Sequence, residues 1–559
     1  MVVSVLTFRL RSRLSFVALL AIACADVLCS ESKSGGPPPG GPVIDDGLKP
    51  DRARAPGTMQ ESGRPQLRNV TLEMDDRTKL EAVYAIPTEP APDRGYPGLV
   101  QTLGWGSSLT RSTMDFAVGG AKGGHVSIVY ICRGQGRSGG FSTMMGEREW
   151  KDMRAVISWM ISNLPVNAER VAVRGGSQGG IHSWMAAATD PRVRAICPSV
   201  SPFNMWEAFF KNGTMTAMSI GVFDPKRARS DGLLEKLTDA VLSGNLEPVR
   251  QELERRAITQ YLNGIHCPVF SLSAWQDALF APDFEVAAFN ALGVPKKLYI
   301  GTGGHRTPQS PTEAEWRARK QAEWLAYWLE GEENGILEEK PITLALSPDW
   351  QHFEFDEFPA PAATPQWHLL PGGSLSLEPT ERSGTLTLDN AMTRAQCSLR
   401  ELHEEFYVSP SEGFSRDGVQ SVVPVAKHSF RTPPLKEEVI AIGNPSVQLV
   451  VTRRSRSYQV VALLKDVSPS GEEFLVSRMA QAERNIAHTG VASSLLIKSR
   501  LIGHKFQKGH QIKLDIMNYD AGEVADADMH LPMLENYQLG ISLGGAKGSV
   551  LRLEVHQPQ

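Results

Sequence analysis

Residues 171–188, VAVRGGSQGGIHSWMAAA, constrain this chain more than any other stretch. An apolar, β-prone run (Val171, Ala172, Val173) stops at Gly175-Gly176-Ser177-Gln178-Gly179, and Ile181, Trp184, Met185 and Ala188 then recur at helical spacing. The pattern predicts strand, tight turn, helix. It is a G-x-S-x-G nucleophile elbow, in which any Cβ two residues before or after the serine would clash at a strained corner. Ser177 is thereby raised above a sheet, with the Gln178 N–H and the helix N-terminus available to a developing oxyanion. The competing reading is a glycine-rich turn whose serine only caps the helix.

The rest of the chain discriminates between the two. Continuous apolar strands at 98–103 and 126–131 are separated by a helix-sized segment, as a parallel sheet covered on both faces requires. A polar turn, DDRT, joins the alternating runs 70–74 and 80–84 into an antiparallel hairpin. Trp150, Met153, Ile157 and Met160 share one helical face before the elbow strand, and 193–197 is the next strand. From Phe203 to Gly264 the β pattern gives way to helical segments, an insertion of the kind that roofs a pocket. Strands resume at 267–273 and at 297–300, the first running into Ala274-Trp275-Gln276-Asp277 and the second into Gly301-Thr302-Gly303-Gly304-His305. Ser177, Asp277 and His305 thus each follow a predicted strand, in the order an α/β-hydrolase uses. In that arrangement His305 takes the proton of Ser177 as it attacks an acyl carbon, and Asp277 orients the imidazole. Asp283 and Glu285 are rivals for the acid, and His182, behind the elbow, reads as a packed helix residue.

Beyond Pro341 the style changes to short alternating runs separated by Pro, Gly, Asn and Asp, with no helical pattern of comparable strength and no internal repeat. That part predicts an all-β, jelly-roll-like sandwich. The expected fold class is a mostly parallel, doubly wound α/β-hydrolase sheet with a helical cap, followed by this sandwich. The expected parts are a leader over 1–25, a linker over 26–65, a hydrolase core over 66–202 and 265–340, a cap over 203–264 and the sandwich over 341–559.

Length and composition agree, since 559 residues ask for two or three domains, and 41% hydrophobic with 21% charged residues is globular. A net charge of −4, without a basic cluster, zinc spacing or phosphate loop, excludes nucleic acid as a partner and implies no metal and no cofactor. Arg9, Arg11 and Arg13 precede an apolar run, 14–23, too short to span a bilayer but suited to a signal-peptide core. Cleavage after Ala23 leaves Cys24 first, a site for lipidation and membrane attachment, and cleavage after Ala25 leaves a soluble protein. The expected location is outside the cytoplasm: periplasm, outer membrane or medium. The Gly- and Pro-rich linker reads as a disordered tether. Cys29, Cys132, Cys197, Cys267 and Cys397 show no CxxC and read as small core residues.

The chain after the linker resembles the cocaine esterase and X-prolyl dipeptidyl-peptidase family of serine hydrolases, which includes α-amino acid ester hydrolases and glutaryl-cephalosporin acylases. That family's glycine loop, R-G-x-G-x-S-x-G, is matched by residues 133–140, and its acid-plus-I-x-W helix by Asp152, Ile157 and Trp159. Its G-W-x-D motif is similar to residues 274–277 and favours Asp277 as the acid. TPPL at 432–435, LKDVSPSG at 464–471 and FQKGHQIKLDI at 506–516 are similar to its jelly-roll domain. There are departures. The family tyrosine after the serine is Gln178 here, and the aspartate two residues before R-G is Ile131. The loop that supplies a tyrosine hydroxyl to the oxyanion in cocaine esterase reads Leu103-Gly104-Trp105-Gly106, so a backbone N–H of Gly104 or Trp105 is expected in its place. The resemblance implies an acyl esterase acting on a small ester through Ser177, and the leader implies its export. The alternatives are a dipeptidyl-peptidase acting on short X-Pro peptides, which needs an acid such as Glu207 facing its pocket, and an inactive surface binding protein.

Overall fold

The computed structural model describes residues 64–557 apart from 278, 306–309, 487–489 and 522–528. The leader, Cys24, Cys29 and all but the last two residues of the linker lie outside the described residues. Among the described residues, no helix is long and apolar enough to cross a membrane.

The hairpin predicted around DDRT is formed by β1 (Gln66–Glu73) and β2 (Lys79–Ile86), with Leu72 opposite Leu80. Six strands follow: β3 (Tyr96–Thr102), β4 (Val126–Tyr130), β5 (Val166–Gly176), β6 (Val193–Ser199), β7 (Val269–Ala274) and β8 (Lys296–Gly301). β9 (Ile342–Leu346) and β10 (Gln351–Phe355) complete a ten-stranded sheet in the order β1-β2-β4-β3-β5-β6-β7-β8-β9-β10. From β4 to β9 every neighbouring pair in that order is parallel. The strand order reverses direction at β3, and in such sheets the crevice beyond the carboxyl ends of the strands is where ligands bind.

Because successive strand residues face opposite sides, each strand feeds two cores. Val100, Ile128, Val171 and Val173 pack with Trp150, Met153, Ile157 and Met160 of the helix Glu147–Asn163 and with Ile181 and Trp184 of the helix Gln178–Thr189. On the other side Leu99, Ala172, Ala195 and Cys197 pack with Trp324 and Leu325 of the helix Pro311–Leu325. Cys132, Cys197, Cys267 and Cys397 are buried free thiols.

The cap is a run of short helices, among them Met205–Phe209, Ala217–Gly221, Leu233–Leu242 and Glu247–Glu254. Phe203, Phe209, Phe223, Leu237 and Leu253 carry the elbow-side core up into it. Two helices of the C-terminal part, Leu399–Phe406 and Arg416–Val422, complete this core through Leu402, Val419 and Val422. The expectation of strands without strong helices past 341 misses them. Each is only two turns long, too short for an apolar period to stand out, and the first is held by a capping box between Ser398 and Glu401.

The remaining strands form an eleven-stranded sheet, a three-stranded sheet and a two-stranded ribbon. Leu539 and Ile541 from one end of the large sheet share a core with Val460, Ala462 and Leu514 from the other, so the sheet folds over on itself.

The expected boundary at 341 falls one hairpin too early. β9 pairs parallel to β8, Leu298 beside Ile342, and β10 pairs antiparallel to β9. Both read as short alternating runs of the same kind as the sandwich strands, and only pairing partners distinguish them. A chain truncated after Lys340 therefore leaves β8 as a bare apolar edge, a template for aggregation. We expect it to be insoluble or to elute as large aggregates in size-exclusion chromatography; a monodisperse monomer would contradict this pairing.

Candidate active site

The elbow lies between β5 and the helix Gln178–Thr189, and Ser177 sits there at φ 58°, ψ −122°. A non-glycine residue held in this region costs roughly 1–3 kcal/mol. The glycines make it attainable. A Cβ on Gly175 would run into the hydroxyl and carbonyl of Thr102, one on Gly179 into the same carbonyl, and one on Gly180 would lie 2.6 Å from Ser201 Cβ. Thr102 Oγ1 ties the two sides of the corner by donating to Arg174 O (3.1 Å) and Gly179 O (2.8 Å). The Ser177 side chain makes no capping bond to the helix, which disposes of the capping reading.

Asp277 and His305 follow β7 and β8, whose carboxyl ends lie on the same edge as that of β5. Asp277 is fully buried, and its Oδ2 lies 2.8 Å from His305 Nδ1. Its Oδ1 accepts from the N–H groups of Leu279 (2.8 Å) and Phe280 (3.0 Å). The Phe280 ring stands edge-on to the imidazole at 5.0 Å and meets Phe209 of the cap at 6.1 Å. Asp277 thus favours the tautomer with the proton on Nδ1, in which Nε2 carries the lone pair. The rivals for the acid are engaged elsewhere. Asp283 accepts from Asn444 Nδ2 (2.6 Å) and Leu501 N (2.8 Å), and Glu285 is buried below the site with Ser201 N 3.4 Å from its Oε1. Burial pushes the Glu285 carboxyl up to about 8, with the nearby Asp277 charge adding to the shift, so at neutral pH it is uncharged.

The loop after β3 passes over the serine, and a Cβ on Gly104 would lie 3.9 Å from Ser177 Cβ. Its polar groups are fixed one by one. The Leu103 carbonyl accepts from Gln178 Nε2 (3.3 Å), the Gly104 carbonyl from Ser107 Oγ (2.7 Å), and the Trp105 indole donates to Val222 O of the cap (3.0 Å). Among the described residues, the backbone N–H groups of Gly104, Trp105 and Gln178 have no hydrogen-bond partner.

Gln135, which the sequence reading left without a role, joins these parts. Its Nε2 donates to Gln178 Oε1 (2.8 Å) and its Oε1 accepts from Gly106 N (2.9 Å), so one side chain links the elbow to the loop above it. Gln135 belongs to the glycine loop 133–140, which Arg133 anchors through Asp152 (2.6 and 2.8 Å) and Asp76 (2.9 Å). That guanidinium holds the Asp76 carboxyl well below the usual carboxylate range. A Cβ on Gly134, at φ 74°, would strike Arg229 O and Ser142 N, which is why this turn is glycine.

His182 is fully buried between Cys132 and Glu149. The three ligand-type atoms lie within 4.8 Å of one another, yet the sulfur faces Nδ1 (3.7 Å) and the carboxylate faces Nε2 (3.6 Å). The ring bridges its two neighbours and gives them no common centre. Ser142 Oγ and the N–H groups of Thr143 and Met145 also donate to Glu149. Burial pushes the Glu149 carboxyl up, but His182 and these donors outweigh it and hold it below its ordinary value. The cluster ties the elbow helix to the loop at 142–145.

A parallel sheet that carries a strained serine corner and an acid-held imidazole at the same edge has the arrangement of an α/β-hydrolase. Residues 76–307 match the family model described as X-Pro dipeptidyl-peptidase (S15 family), and residues 320–524 match that of the X-Pro dipeptidyl-peptidase C-terminal non-catalytic domain. The two matches together give an S15-type hydrolase domain followed by the kind of C-terminal domain that accompanies it in X-Pro dipeptidyl-peptidases. The fold is similar to that of a CocE/NonD family hydrolase from Staphylococcus aureus, at TM-score 0.66 and 13% identity over 88% of this chain and 94% of that one. It is also similar to an α-amino acid ester hydrolase, at TM-score 0.66 and 15% identity over 91% and 100%. A thiohydrolase of Arthrinium phaeospermum is 30% identical over 113 residues, 19% of this chain and 37% of that protein. The chain spans less than half the length of the curated relatives it matches.

Two outcomes follow from this geometry. A carboxyl with a pKa of about 8 in the folded chain and 4.5 when exposed keeps a proton that the unfolded chain loses, so it lowers stability progressively as pH rises from 4.5 to 8. Glu285→Gln removes that slope, and its Tm should gain on the wild type across this range in calorimetry; parallel Tm curves would show Glu285 to be ionised in the native protein. Gln135→Ala unlinks Gln178 from Gly106 and should lower kcat by about tenfold at nearly constant KM, less than the 10²–10³ for loss of a direct oxyanion donor. Steady-state kinetics on one ester measures it.

Proposed function

We propose that this protein is an acyl esterase in which Ser177 is the nucleophile, His305 the general base and then acid, and Asp277 the group that orients and charge-stabilises the imidazole. Ser177 Oγ adds to the acyl carbon as Nε2 takes its proton. The oxyanion is received by the Gln178 N–H and by an N–H of Gly104 or Trp105, groups without another partner among the described residues. Return of the proton releases the alcohol and leaves the acyl-enzyme, and water repeats the sequence to free the acid. The observation that supports these roles is the 2.8 Å contact of buried Asp277 with His305, at the same sheet edge as a serine at φ 58°.

The ester reading is favoured over the dipeptidyl-peptidase reading by the cap. A free α-ammonium needs an available carboxylate. Glu207 is exposed, and Asp224, the one buried carboxylate among the described residues 203–264, is taken by the Tyr407 hydroxyl (2.9 Å) and Lys226 N (2.8 Å). Phe209, Phe223 and Phe280 instead form a buried aromatic cluster that reaches the His305 ring, an apolar surrounding that offers an ammonium no partner and suits an ester.

A panel of p-nitrophenyl acyl esters beside Gly-Pro and Ala-Pro p-nitroanilides decides between the readings. We expect kcat/KM on the best ester to exceed that on either anilide by at least about tenfold, with Ser177→Ala lowering kcat by about 10³-fold or more and abolishing fluorophosphonate labelling. Preference for the anilides would replace the esterase by a dipeptidyl-peptidase, and labelling of S177A would remove Ser177 from the mechanism.

A further inference from the structure

The residues after Asp277 leave the strand ladder. Trp275 N and Gln276 N still bond to Gly301 O (3.0 Å) and Gly303 O (3.2 Å) of the β8 segment, but the segment beyond is anchored from the other domain. Arg500 Nη1 donates to the main-chain carbonyl of Asp277. Six residues on, Asp283 receives the N–H of Leu501 and the amide of Asn444. Just before the acid, Trp275 is fully buried, its indole donating to Ala345 O (2.7 Å), and a Cβ on Gly503 would run into its ring. One strip of the C-terminal domain, residues 500–503, thus touches the acid loop before, at and after Asp277. Trp275, Leu344 and Leu346 also share a core with Ile440, Ile442 and Leu501 across the boundary.

We propose that Arg500 is a positioning residue for the Asp277–His305 pair, so that the C-terminal domain completes the active site; this rests on the reading of Ser177, His305 and Asp277 as the triad. Both carboxylate oxygens of Asp277 are already committed, one to His305 and the other to the N–H groups of Leu279 and Phe280. The carboxylate points correctly only if the peptide behind it is fixed, and a charged donor on its carbonyl is a strong way to fix it. Without that donor the loop can rotate, the imidazole tilts, and a displacement of about 1 Å in such a group costs up to about 10²-fold in rate. Substrate binding does not use this contact, so the effect falls on kcat.

Arg500→Met keeps most of the side-chain length and removes every donor, whereas Arg500→Lys retains one. On the best p-nitrophenyl ester, R500M is expected to lower kcat by about tenfold or more with KM within about twofold, and R500K to regain most of the loss. If R500M does not fold, R500L, equally without a donor, is measured in its place against R500K. An unchanged kcat in the donor-deficient variant overturns the proposal, and so does a loss that R500K fails to relieve while Tm falls in step. Ser177→Ala run alongside keeps the two readings apart. An inactive S177A with a fully active R500M refutes the role of Arg500 alone, while an active S177A refutes the triad beneath it.

Discussion

The strained corner at Ser177 is the constraint from which the rest of the catalytic half follows. A side chain at φ 58° persists only where its surroundings leave no cheaper conformation. Here the surroundings are the end of β3, with Thr102 bonded to both sides of the corner, and glycines at 175, 179 and 180 that let three backbones meet without a Cβ between them. The same close approach places Gly104 directly over the serine. The Leu103–Gly104–Trp105 loop is therefore a consequence of the elbow's packing as well as its chemical partner.

Around that corner the polar groups are spent in a definite order. Gln178, Gln135 and Ser107 use their side chains on carbonyls and an amide of the loop, Trp105 ties the loop to the Val222 carbonyl of the cap, and the backbone N–H groups of Gly104, Trp105 and Gln178 have no partner among the described residues. Donors left open next to the elbow are the groups a developing oxyanion would use in the proposed reaction. The acids behave in the same sense. Asp277 is surrounded by donors, while burial holds Glu285 below it toward its neutral form.

The two domains are not independent modules joined by a linker. Helices Leu399–Phe406 and Arg416–Val422 belong to the C-terminal part by chain order and to the cap by packing, and β9 and β10 belong to the first sheet. Trp275, two residues before the acid, is itself part of the inter-domain core. Docking of the β-rich domain and the geometry of the acid loop are therefore one event, and loss of either is felt by the other.

The local motifs of this chain were legible without coordinates because each is a local rule. The elbow glycines answer a steric demand within five residues, the strands β3 to β8 show as apolar runs, and the G-W-x-D-like motif separates Asp277 from Asp283 and Glu285 six and eight residues further on. What the tertiary structure alone decided are matters of partnership between distant segments. Nothing local in 342–355 says that these strands pair with β8 and not within the sandwich, since short alternating runs look alike until a neighbour is assigned. Helices of two turns carry too little periodicity to be seen, and they form here because the cap offers an apolar face to cover. Gln135 and Arg500 escaped for the same reason. A glutamine in a glycine loop and an arginine between two strands are ordinary in sequence, and they gain meaning only when folding brings Gly106, Gln178 and the Asp277 carbonyl within reach of their donors.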